Sequence, residues 1–195
     1  MTFLLKISGL IDGLSRRIGQ LIIWLILASV LLSTGNALAR KLFRIGSNAF
    51  TEMQWYLYGA VFLLGAGYAF LKNAHVRIDF VSSRLSPRTR SWIDIFGILF
   101  FLAPLCFLLI DPSWPLFVNA WQSGEMSQSA GGLIRWPVYL LLPTGISLLL
   151  LQSFSELIKR IAFLKRMGPD PLAQKTDDKE PARPEDDETS RSEEC

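Results

Sequence analysis

The residues that could carry chemistry in this 195-residue chain are few. The one histidine, His75, stands in the string KNAHVRIDF with Arg77 and Asp79, just past an apolar run. With a single histidine, a bis-His haem within the chain is excluded, and no Ser/His/Asp arrangement for nucleophilic catalysis emerges. Cys106 lies inside an apolar run and Cys195 is the last residue, with no CxxC spacing to suggest a zinc or iron–sulfur site. There is no Walker loop, so no phosphate cradle for ATP hydrolysis. What remains is milder. Ser29, Ser33 and Asn36 recur at i, i+4, i+7 and give one polar stripe suited to hydrogen bonding with another helix. The same hydroxyls can instead bond back to their own backbone. Gly65 and Ala69 form a small-xxx-small pair that lets a neighbouring helix approach closely. Glu52, Arg44, Glu125 and Arg135 are charges at the edges of apolar runs, where a soluble partner would meet them.

The elements that position these residues follow from where the apolar residues gather. Half of the chain is hydrophobic and 19% is charged, against about a quarter charged in a soluble domain. Four runs are almost free of charge: Ile18–Ala39, Trp55–Leu71, Trp92–Ile110 with Asp94 near its start, and Trp136–Ile158, which becomes polar in its final turns at Glu156. Crossing about 30 Å of hydrocarbon takes about 20 apolar residues of helix. A helix satisfies its own backbone there, and the alternation of a barrel strand is absent. The expected fold is an all-α integral membrane protein with spans at about 18–39, 52–71, 92–110 and 136–158. Trp55, Trp92 and Trp136 open runs and Trp114 follows the third, as interfacial anchors do.

Charge sets the orientation. Twelve Lys/Arg fall before the first run, between the second and third, and close behind the fourth (Lys159, Arg160, Lys165 and Arg166); four (Arg40, Lys41, Arg44, Arg135) fall in the other two loops. The positive-inside rule then puts both termini in the cytoplasm. Residues 1–167 hold 16 Lys/Arg against 7 Asp/Glu, a balance of +9, and residues 168–195 hold 4 against 10, a balance of −6; together they give the net +3. No nucleic-acid module accompanies the basic charges, which flank apolar runs as lipid-facing charges do. The pattern Ala37-Leu38-Ala39 resembles a signal-peptidase site, but the run before it exceeds a signal core, so the first span is expected to be retained.

Three flanking segments complete the organisation. Residues 1–17 are expected as a cytoplasmic interfacial helix with Leu4, Ile7, Ile11 and Leu14 on one face, or else as an extension of a tilted first span. Asp111–Arg135 is expected as an outer loop holding a short helix, with Trp114, Phe117 and Trp121 on one face and a flexible polar turn at Ser123–Gly132. Residues 168–195, with four prolines and ten acids, are expected as a disordered acidic cytoplasmic tail after a transmembrane domain at 18–167. No ionisable residue lies deep in any run, so no ion or proton path is evident.

Two strings resemble a known family. SNAFTEMQWYLYGAVFLLGAGYAFLKNAHVRIDFV is similar to the second span of the small (DctQ-type) permease subunits of tripartite ATP-independent periplasmic (TRAP) transporters. Glu52, Gly65, Ala66, His75, Arg77 and Asp79 fall on that pattern. Arg135-Trp136-Pro137, Pro143 and Gln152 in the later string SGEMSQSAGGLIRWPVYLLLPTGISLLLLQSFSELIKR resemble it too. The family often has a second acid beside the first; here Glu52 stands alone.

The resemblance implies a non-enzymatic, multi-pass subunit of the bacterial inner membrane. Its partners would be a large permease subunit, a periplasmic substrate-binding protein and the lipid bilayer, with no nucleic acid. No cofactor is expected on this chain, and sodium is expected on the large subunit. On this reading the chain braces the large subunit of a sodium-coupled importer of organic acids. Arg44, Glu52, Glu125 and Arg135 are docking candidates. Ser29, Ser33, Asn36, Gly65 and Ala69 are candidates for packing on the large subunit. The His75, Arg77, Asp79 cluster fixes the cytoplasmic end of the second span. An anchor subunit of another complex, a membrane-embedded enzyme or redox subunit, and a small independent channel are the alternatives.

Overall fold

A computed structural model describes residues 2–43, 48–72, 86–129 and 131–165. Four long helices make up nearly all of it: α1 (Thr2–Phe43), α2 (Asn48–Leu71), α3 (Pro87–Ser123) and α4 (Trp136–Leu164). Helix α4 is the central element and packs against the other three, while α2 also packs against α1. Three of the four, α1, α3 and α4, are long and apolar enough to cross a membrane. Helix α2 has the length, but Gly59, Gly65 and Gly67 with Tyr56, Tyr58 and Tyr68 dilute its apolar character. The expected Arg44, the His75–Arg77–Asp79 cluster and the acidic tail lie outside the described residues.

The molecule is arranged with small and polar side chains inside and large apolar ones outside. Ser8, Ser15, Ser29, Gln152, Ser153 and Ser155 are buried, as are Ala60, Ala103, Ala120 and Ala162. Trp24, Trp55, Phe62, Phe101 and Leu108 are among the many large side chains left exposed. In water that surface would be untenable; among lipid chains it is the ordinary solution, because close helix approach replaces the hydrophobic effect. Glycines make the approach. A side chain at Gly145 of α4 would meet the Leu63 carbonyl oxygen of α2 at 2.7 Å, and one at Gly67 would meet Leu148 of α4 at 3.4 Å. Gly65 faces Ile22 of α1.

The extents of α1 and α3 bear on two expectations. Residues 2–17 continue into the first span without a break, in the manner of the extension that the sequence allowed as the alternative: α1 is one helix of 42 residues, about 63 Å long. Asp111–Ser123 is not a loop with a short helix in it but the continuation of α3. Proline ends a soluble helix, yet Pro112 and Pro115 lie inside this one. A membrane helix tolerates the lost N–H groups because a regular helix is still the best use of the backbone. A third proline, Pro104, follows a π turn at Ile98–Leu102, where the Ala103 N–H reaches back to the Ile98 carbonyl. Ser86 caps the start of α3 by accepting from the Thr89 N–H at 3.3 Å, with Pro87 in the first turn. Gly124, at φ 60°, ends it.

Candidate functional site

At one end of the bundle the α3–α4 connection is clasped onto α2. The connection folds back as a small antiparallel turn: Met126 bridges Ile134, the Ser127 N–H donates to the Leu133 carbonyl at 2.9 Å, and the Arg135 N–H to the Glu125 carbonyl at 3.0 Å. Gly131 supplies the positive φ of 73° that the reversal needs. Glu52, in the second turn of α2, takes both of its hydrogen bonds from this turn. The Ser127 hydroxyl donates to one carboxylate oxygen, and the Leu133 N–H to the other at 2.8 Å. The Tyr56 hydroxyl adds a bond to the Ile134 carbonyl at 3.3 Å. The polar stretch expected to be a flexible turn is tied, at Ser127 and Leu133, to a charged acceptor on a neighbouring helix.

Arg135 pairs with Glu125 at 2.8 Å across the mouth of the turn. That hydrogen bond raises the Arg135 pKa above the ordinary arginine value. Below it, aromatic rings run along one face of α3. Trp114–Phe117 and Phe117–Trp121 centroids lie 5.8 and 6.2 Å apart, and Trp121 meets Trp136 of α4 edge-on at 4.6 Å. The i, i+3, i+7 spacing does gather these rings, on a helix that continues α3.

The docking candidates Glu52, Glu125 and Arg135 thus converge on one loop. Three of the packing candidates, Ser29, Asn36 and Gly65, make contacts inside the chain. Ser29 is buried, its hydroxyl bonded back to the Ile26 carbonyl at 2.9 Å. Asn36 reaches Thr51 of α2 at 3.4 Å, and Gly65 lies against α1. Ser33 and Ala69 are half-buried.

A second polar cluster, at the opposite end, went unread in the sequence. Ser8, Asp12 and Ser15 on α1 face Gln152, Ser155, Glu156 and Lys159 on α4. The Ser8 and Ser155 hydroxyls lie 2.7 Å apart, the Ser15 hydroxyl donates to Gln152 Oε1 at 2.6 Å, and Gln152 Nε2 donates to Asp12 at 2.9 Å. Lys159 pairs with both Asp12 and the buried Glu156. Arg160, also buried, pairs with Asp94 of α3. The signal was present as matched helical spacings, i, i+4, i+7 on α1 and i, i+3, i+4, i+7 on α4, with an acid on one and a base on the other. Only the contact between helices some 140 positions apart reveals the match.

Among the described residues no group of three or more His, Cys, Asp or Glu is placed to hold a metal ion. The chemistry here is tethering. A family model described as the DctQ component of tripartite ATP-independent periplasmic transporters matches residues 29–163. No curated protein and no solved structure matches the chain.

Proposed function

The chain belongs to the DctQ-component family of tripartite ATP-independent periplasmic transporters, and from that membership we propose that it is the small membrane subunit of a sodium-coupled importer of organic acids. The family is a transporter component rather than an enzyme. In the proposed role the four helices span the bacterial inner membrane with both termini in the cytoplasm. They brace the large permease subunit, which carries the substrate and sodium sites, and the Glu52-clasped loop faces the periplasm to receive the binding protein.

The observation that carries the reading is the division of the polar residues. They are consumed in clasps between the chain's own helices, Glu52 to the α3–α4 loop and Asp12 to Lys159. Most of the exterior is apolar. A brace needs rigid helices and a packing surface, and these clasps supply the rigidity. Within the loop, the Glu125–Arg135 pair is the exposed polar feature a docking protein would read.

Proteoliposomes test the reading. The large permease subunit and the binding protein are reconstituted with and without this chain, and uptake of a panel of organic acids is followed under a sodium gradient. Uptake that requires both the chain and sodium supports it. Uptake that proceeds unchanged without the chain removes it.

A further inference from the structure

Asp111 is an acid that the register of the helices puts in the middle of the bundle. Helices α3 and α4 are antiparallel and tied at two levels, Asp94 to Arg160 at one end and Trp121 to Trp136 at the other. Asp111 stands ten positions before Trp121, about 15 Å along the axis. Ten positions into α4 from Trp136 is Ile146, and its neighbour Gly145 packs on Leu63 of α2. That level lies inside the charge-free stretches of both partners: 136–155 in α4 and 53–71 in α2 carry no Asp, Glu, Lys or Arg. The sequence places Asp111 at the start of an aqueous loop; the continuous helix places it level with the charge-free stretches of α2 and α4.

Its surroundings sharpen the anomaly. Asp111 is exposed, turned away from the α3 face (Ala103, Cys106, Ser113, Ala120) that is buried. No hydrogen-bond or ion-pair partner meets it among the described residues. One turn to either side, Leu108 and Trp114 are exposed as well, at 70% and 57%. Pro112 and Pro115 lack the N–H groups that would bond the Leu108 and Asp111 carbonyls four residues back. The face thus presents a carboxyl and two backbone acceptors without their helical donors, at a depth where lipid provides none. Acidic side chains within spanning helices almost always face protein or a water-filled cavity rather than lipid, and pair there with another group.

We propose that the Asp111 face of α3 is the surface that meets the large permease subunit, where a Lys or Arg on one of that subunit's spanning helices pairs with Asp111. The proposal rests on the function proposed above, which supplies a spanning partner; the negative charge of Asp111 specifies a cationic donor.

Two experiments on the full-length tagged chain in its native membranes decide it. Leu108 or Trp114 is replaced by p-benzoylphenylalanine and the cells are irradiated. In parallel, the Asp111→Leu, Asp111→Asn and Asp111→Glu variants are compared with wild type for recovery of the large subunit in mild detergent. Adducts to the large subunit are expected from both positions. Recovery is expected to fall more than about tenfold for Asp111→Leu, because the partner's cation is left unpaired, less for Asp111→Asn and least for Asp111→Glu. Adducts to a second copy of this chain, absence of any protein adduct, or undiminished recovery with Asp111→Leu overturn the proposal while leaving the proposed function standing. If the wild-type chain itself recovers no larger polytopic protein, the proposed function fails and this proposal fails with it.

Discussion

Glu52 holds the α3–α4 loop by accepting from Ser127 and Leu133. Glu52→Ala removes both bonds at once and leaves α2 otherwise intact. Amide exchange at Leu133 is expected to rise on the order of tenfold, with exchange in the middle of α2 unchanged. Equal protection at Leu133 in the variant would show that the turn holds itself. Asp12 and Lys159 make the corresponding tie at the other end. Removing one partner of a largely buried pair strands the other, so Lys159→Ala is expected to destabilise the α1–α4 contact by about 2 kcal/mol. Asp12→Asn combined with Lys159→Met should recover part of that loss, read as thermal stability in detergent. A double variant no better than the single one would mean that the pair is not coupled.

Helices were the legible part of this sequence, and their ends were not. The apolar runs from Ile18, Trp92 and Trp136 lie within α1, α3 and α4. The expected end at Ile110 falls short because Asp111 follows it, and a charge marks the edge of an apolar run. In a membrane the same residues continue the helix. The polar contacts were hidden for a different reason. Leu4, Ile7, Ile11 and Leu14 share one face, but a single helix shows which residues share a face and not which way that face turns. Here Ser8 and Ser15 turn inward, and Leu4 and Leu14 point out. Glycines at contacts are more readily checked. Gly145→Ala puts a methyl group against the Leu63 carbonyl and is expected to cost about 1–3 kcal/mol through a forced shift of α2 from α4. Gly59→Ala, with nothing within 4 Å, should be neutral or slightly stabilising. Indistinguishable melting of the two variants would contradict the close α2–α4 packing.

At the scale of the whole molecule, polar matter lies inside and at the two ends, and apolar matter lies around the outside. That distribution belongs to a membrane component, in keeping with the family match over residues 29–163. The proposed topology makes its own forecast. In a Cys195→Ser background, a cysteine at Ser129 should react with a membrane-impermeant maleimide in cells whose outer membrane alone is opened, and one at Lys72 only after the inner membrane is permeabilised. The reverse pattern would invert the orientation and move the clasped loop to the cytoplasm. The central claim, that the chain works as a fixed companion of a larger permease, is met most directly by a mild-detergent pull-down of the tagged chain from native membranes, with its partners identified by mass spectrometry. Recovery of one much larger polytopic protein in about equal amount is the result expected from a tight heteromeric interface. Recovery of the chain alone, or with redox subunits, would contradict it.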